Sequence, residues 1–204
     1  MNDPFLRAMF AQPCAVLGQQ LRPFSAFHLA ALMVLENPLS PLASDRVATN
    51  EALRQAVWVC TLRYQDGGTS QIFPIPQMDA FNLRLPLVRE EDYLQRELYA
   101  FEQYLEEAID YWPQVWSNAK SKTRESGMPL PFHLVSVVAS GLSGATLGEL
   151  WDMPLSMLVA HKVGLMEQNG AEIETQRQRD LVAFKRQIEA DAAQKTSGGE
   201  SVNP

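Results

Sequence analysis

The chain reads as a mainly α-helical protein, and three features carry that reading. Its apolar residues recur at helical spacing over several long stretches. Capping residues and prolines fall where those stretches would begin or stop. The composition, 46% hydrophobic and 20% charged over 204 residues, is enough for a buried core. The expected architecture is a compact helical domain with an irregular proline-rich loop and a protruding C-terminal helix.

Residues 1–23 read as an N-terminal arm with some short helix, because Pro4, Pro13 and Pro23 punctuate it. Ser25 is placed to cap a helix over 26–36, where Phe27, Leu29, Ala30, Leu32, Met33 and Leu35 leave little polar surface. Pro38 and Pro41 stop it. A second helix is predicted over 50–62, capped by Thr49 or Asn50. Leu53, Ala56, Val57 and Cys60 mark its apolar face, which Trp58 and Val59 widen. Residues 65–88 lose the rhythm: Asp66-Gly67-Gly68 reads as a turn and Phe73-Pro74-Ile75-Pro76 as extended, so irregular structure is expected.

The clearest period lies over 89–112, in Leu94, Leu98, Phe101, Leu105, Ala108, Ile109 and Trp112. Glu102, Glu106, Glu107 and Asp110 occupy the other side, giving a long helix with an acidic outer face. A short apolar helix follows over 131–140, with Gly141 expected to end it in the left-handed conformation. Thr146 and Glu149 have capping-box spacing. Pro154 suits the first position of a helix running to about Gly170. Residues 24–170 are thus the helical domain. Residues 171–195 form a thinner amphipathic helix on Ile173, Arg177, Leu181, Phe184 and Ile188, and 196–204 a disordered tail.

The formal net charge of -7 opposes binding to nucleic acid or to an anionic membrane. No apolar run approaches the ~20 residues of a membrane span, and the opening Met1-Asn2-Asp3-Pro4 does not begin a signal peptide. Cys14 and Cys60 are too few and too far apart for a disulfide framework or a zinc knuckle, so free buried thiols are expected. A cytoplasmic setting follows as an expectation.

No motif for chemistry stands out. His28, His133 and His161 are solitary on apolar helices, outside any metal-ligand spacing. Gly141-Leu142-Ser143-Gly144 lacks the strand and the Gly-Lys-Ser/Thr of a phosphate loop. Glu102, Glu106 and Glu107 read as a solvated face, where a carboxylate keeps an ordinary pKa and is a poor base at neutral pH. The helix–turn–helix rhythm over 132–169 offers Lys162 and little else to DNA. We therefore assign no residue to catalysis, to a cofactor or to a metal, and expect a protein that is not an enzyme. Surface for a protein partner remains. Trp151, Met153, Leu155 and Met157 form one dense apolar set, with core packing as its competing assignment. Leu181, Phe184 and Ile188 on the C-terminal helix form a second.

Two stretches carry a family likeness. They are Leu21-Arg22-Pro23-Phe24-Ser25-Ala26-Phe27-His28-Leu29, with Asn37-Pro38-Leu39, and Thr146-Leu147-Gly148-Glu149-Leu150-Trp151-Asp152-Met153-Pro154-Leu155. Together they resemble small helical proteins of phage and prophage tail modules, of the tail assembly chaperone type. The likeness covers about a third of the chain and does not extend to the acidic helix or to 65–88. It implies a non-enzymatic role in the bacterial host cell. Such a protein binds the tape measure protein, and the tail tube subunit is a possible further partner, during tail morphogenesis. The competing readings are a structural or connector component of the phage virion, and a small helical enzyme with an unrecognised site.

Overall fold

The computed structural model describes residues 14–44, 49–72, 81, 91–109, 115–117, 127–171, 173–175 and 183–187. The protein is mainly helical, with two short antiparallel ribbons.

The first ribbon corrects the expected N-terminal arm over 14–21, while residues 1–13 lie outside the described residues. Strands β1 (Cys14–Val16) and β2 (Gln19–Leu21) pair with Cys14 opposite Leu21 and Val16 opposite Gln19. Leu17 and Gly18 between them have φ of 50° and 69°, and a two-residue hairpin turn needs both positive so that its twist matches the strands. Leucine resists that backbone by roughly 1–2 kcal/mol. It is held there because its side chain is fully buried and its amide donates to a Glu97 carboxylate oxygen. Val16 and Leu21 join the same core.

Helix α1 (Ala26–Val34) begins at Ser25 as the sequence requires. Its capping box is closed by a histidine. Ser25 Oγ accepts from the His28 amide, and His28 Nδ1 accepts from the Ser25 amide at 3.1 Å. The proton therefore sits on Nε2, which donates to the Leu62 carbonyl at 3.0 Å. One buried ring thus starts α1 and ties it to the end of α2 (Asn50–Thr61), a helix capped by Thr49 as expected. The connector between them is anchored by Asn37. Its Nδ2 donates to the Ala52 carbonyl at 2.9 Å and to Gln55 Oε1 at 2.7 Å. Its Oδ1 accepts from the Leu39 amide at 2.9 Å.

A short helix, α3 (Gly68–Ile72), stands at the start of the stretch expected to be irregular. Residues 73–80 and 82–90 lie outside the described residues. Helix α4 (Glu91–Ile109) buries Leu98, Phe101, Tyr104 and Leu105 and leaves Glu102, Glu106 and Glu107 exposed, as its period demands. Tyr104 donates to the Arg22 carbonyl at 2.7 Å, fastening α4 to the segment before α1.

Helices α5 (Leu130–Gly141), α6 (Leu147–Asp152) and α7 (Leu155–Gln168) complete the body. Gly141 does not end α5 in a left-handed conformation. It is the last helical residue, and a Cβ there would meet Leu165 Cδ2 at 2.1 Å, so its lack of a side chain serves close packing of α5 on α7. The Thr146–Glu149 capping box is present, with the Thr146 amide 2.7 Å from a Glu149 carboxylate oxygen. Pro154 sits one residue earlier than expected, at the N-cap of α7. The Leu155 amide donates to the Phe24 carbonyl at 2.8 Å, joining the starts of α7 and α1.

The second ribbon overturns part of the expected C-terminal helix. Strand β4 (Ile173–Thr175) pairs with β3 (Val115–Ser117), so Ile173 belongs to a strand. Of the remaining predicted helix, residues 183–187 (α8) are helical, while Leu181, Ile188 and the tail 196–204 lie outside the described residues.

Candidate functional site: an apolar groove

Helix α1 is apolar on every side except at the buried His28, with no Asp, Glu, Lys or Arg over its length. Such a helix must be covered all round to be fully removed from water. Helices α2, α5 and α6 pack against it. One stripe, Phe27, Ala30, Ala31 and Val34, follows the i, i+3, i+4, i+7 spacing of a single helix face and lines a groove.

The other walls come from three places. Helix α6 contributes Leu147 and Trp151, one turn apart, and α5 contributes Phe132. The turn after α2 supplies Tyr64, and α3 supplies Thr69. The groove encloses about 390 Å³. Its floor is dry: Phe27 is 3% exposed and Trp151 7%. Its rim is wet: Val34 is 61% exposed, Leu147 56% and Phe132 47%. Of the large apolar side chains left exposed among the described residues, these three gather round one depression, whereas Leu42, Tyr99, Met128 and Phe184 do not line it. An apolar cluster that stays open to water is a mark of an interaction surface.

Four rings run through the groove in edge-to-face and stacked contacts. Phe27 meets Tyr64 edge-on with centroids 6.0 Å apart. Trp151 meets Phe132 edge-on at 4.9 Å. The turn that carries Tyr64 is held by Asp152 at the end of α6. Its carboxylate accepts from the Tyr64 amide at 2.6 Å and the Gln65 amide at 3.1 Å, and lies 3.5 Å from Arg63 Nε. Gly68 lets α3 close in: a Cβ there would lie 2.6 Å from Phe27 Cζ and 2.4 Å from the Arg63 carbonyl oxygen.

Behind this wall lies a small polar recess bounded by Arg22, His28, Arg63 and Asp152. Its groups are engaged structurally. Burial lowers the His28 pKa to about 4, against the opposing pull of its bond to the Leu62 carbonyl, so the ring is neutral at pH 7 with both nitrogens occupied. Burial pushes the Cys60 thiol up to about 12. Burial also raises Cys14, helped by Glu107 and Glu97. Neither thiol is an activated nucleophile. Lys162 Nζ lies 3.4 Å from His133 Nε2, both half-buried, and His161 is half-buried on α7. The exposed Glu149 carboxyl is held below its usual range by its bonds to the Thr146 amide and hydroxyl. Among the described residues, no group of three or more His, Cys, Asp or Glu could hold a metal ion, and no helix is long and apolar enough to cross a membrane.

Of the partner residues proposed from sequence, Trp151 lines the groove. Leu155 is fully buried and belongs to the core, and the half-buried Met153 packs against that core. Met157 is half-buried on α7, away from the groove lining. Phe184 is 62% exposed on α8, while Leu181 and Ile188 fall outside the described residues. Sequence reasoning missed Phe27, Val34, Tyr64, Phe132 and Leu147 as groove residues. The available signal was the little polar surface that Phe27, Leu29, Ala30, Leu32, Met33 and Leu35 leave on α1. No protein-family model, curated protein or solved structure matches the chain.

Proposed function

We propose that this protein is a non-enzymatic tail assembly chaperone, acting in the cytoplasm of a bacterial host, that holds the tape measure protein during phage tail morphogenesis. The supporting observation is the open apolar groove rimmed by Val34, Phe132 and Leu147. Fully burying a large apolar side chain is worth roughly 1.5–3 kcal/mol. Three half-covered rim residues therefore supply a few kcal/mol, a grip suited to a client that is later released. The net charge of -7 keeps the holder itself soluble and apart from its own copies. The choice of client rests on the tail-module resemblance of the Leu21–Leu29 and Thr146–Leu155 stretches.

The test is co-expression with the long tape-measure reading frame of the same tail module. A soluble complex that co-elutes, and that is lost with Leu147→Asp, is expected. A client that stays insoluble, with no complex, overturns the proposal. Recovery of the chain at high copy from purified particles would instead establish the virion-component reading.

A further inference from the structure

We propose that the polar recess lined by Arg22 and Arg63 is a carboxylate-binding site. Its ligand is an organic monoanion whose head group is held by the two guanidinium groups. The recess shares no lining residue with the groove, and the proposal does not rest on the chaperone reading.

The two arginines are remote in sequence, one just after β2 and one just after α2, and the fold sets them on one cavity. Its volume is about 340 Å³, within the roughly 300–1,000 Å³ of small-molecule sites. Pro23, His28, Leu62 and Asp152 complete its lining.

Both arginines are held in place before any ligand arrives. The Arg22 amide donates to the Cys60 carbonyl at 3.0 Å, and its own carbonyl accepts from the Tyr104 hydroxyl at 2.7 Å. Its Nε donates to the Thr61 carbonyl at 3.1 Å. Arg63 Nε lies 3.5 Å from Asp152 Oδ2, and that carboxylate is itself fixed by the Tyr64 and Gln65 amides. The structural bonds therefore use one nitrogen of each guanidinium. Their Nη nitrogens have no hydrogen-bond or ion-pair partner among the described residues. A fork anchored at Nε keeps its terminal N–H groups for a planar acceptor with two oxygens. The bond to Thr61 caps the end of α2, but it leaves the Arg22 charge without a carboxylate, in a chain where Asp and Glu outnumber Lys and Arg by 24 to 17.

Charge sets the class of ligand. His28 is neutral at pH 7, so two guanidinium charges against the Asp152 carboxylate leave one net positive charge on the lining. One negative charge balances it. A phosphate group carries about 1.5–2 at pH 7, and the excess would face Asp152. A nucleic acid backbone would meet a chain at -7. A carboxylate brings a single charge and two coplanar oxygens, and its bonds from arginine are stronger than neutral ones. Pro23 and Leu62 offer apolar cover to the carbons behind the head group.

Titration of the full ¹⁵N-labelled chain, followed by NMR, tests this. The probes are butyrate, butyramide, inorganic phosphate, and a pentapeptide with a free or an amidated C-terminus. Butyrate should give saturable shifts at the Tyr64 and Gln65 amides and at the Nε–H signals of Arg22 and Arg63. Butyramide, which is uncharged, and phosphate should each bind at least tenfold more weakly. Arg22→Gln should weaken butyrate at least tenfold, and Arg22→Lys, which keeps the charge without the fork, by less. Arg186→Gln, exposed on α8, should leave it unchanged. Arg63→Gln serves as the second variant if Arg22→Gln does not fold. Tighter binding of the free-acid peptide than of butyrate, lost on amidation, upholds the site and assigns its ligand to a polypeptide C-terminus. Butyrate binding at least as tightly upholds it with a small carboxylate as ligand. Equal binding of butyramide, or no shift at these four residues, overturns the site. Phosphate binding as tightly as butyrate overturns the choice of a carboxylate. Each of these results is independent of the co-expression test of the groove.

Discussion

Tyr64 lies stacked on Trp151, ring centroids 5.8 Å apart and planes inclined by 22°, although the two residues come from a turn and a helix far apart in the chain. The Asp152 carboxylate makes the contact possible by gripping the Tyr64 and Gln65 amides. The aromatic floor of the groove therefore depends on one acidic side chain that does not line it.

Asp152→Ala should unhook this turn. Removing one partner leaves the Tyr64 and Gln65 amides without their acceptor, at a cost of about 1–3 kcal/mol for the partly buried one. A lower urea midpoint with an unchanged m-value, together with weaker client binding, is the expected result. Asp152→Asn keeps one acceptor oxygen and should fall between. A variant as stable as the native chain would show that the turn is held by other means.

His28 should make stability depend on pH. The native bonds need the neutral ring, because Nδ1 accepts from Ser25 and Nε2 donates to Leu62. The folded pKa is near 4, below the ordinary 6.5, so between these values the unfolded chain binds more protons. The contribution is complete above about pH 6.5 and is lost as pH falls toward 4, by up to about 1.4 kcal/mol per unit. The expected total is about 3 kcal/mol. Urea melts at pH 7, 5.5 and 4.5 should show this decline, and His28→Gln, less stable at pH 7, should flatten it.

Gly68→Ala sets two effects against each other. Alanine favours a helix over glycine by roughly 1 kcal/mol. The new methyl would meet the Arg63 carbonyl oxygen at 2.4 Å and Phe27 Cζ at 2.6 Å, and the backbone atom cannot swing aside. Overpacking of this kind costs about 1–3 kcal/mol. A net loss of stability is expected, with Phe27 displaced and client binding reduced. A gain in Tm would mean that α3 moves away freely.

Leu17→Gly offers a similar contest in the hairpin. Glycine removes the penalty of φ at 50°, roughly 1–2 kcal/mol. It also deletes a fully buried leucine, and large-to-small changes in a core cost about 2–5 kcal/mol. Burial should win, and the variant should unfold at lower denaturant.

Much of the helical framework was legible in the residues alone. Ser25, Thr49 and the Thr146–Glu149 pair are local capping signals, and α2 and α4 follow a 3.6-residue period that depends only on neighbours along the chain. The hairpin escaped notice because a leucine stands at a turn position that sequence rules reserve for Gly, Asn or Asp, and only distant burial and Glu97 hold it there. The β3–β4 pair escaped for a related reason: each strand has three residues, and a ladder partner more than fifty positions away leaves no local mark.

Local rules thus determined where most helices begin. The groove was decided by tertiary structure. Apolar stripes on α1 and α6 state that a surface wants covering, but not whether another part of the chain covers it. Leu155 proved fully buried, while Val34, Phe132 and Leu147, no more distinctive in sequence, were left in water. Burial is a property of how helices pack together, and packing is a sum over contacts between residues remote in the chain.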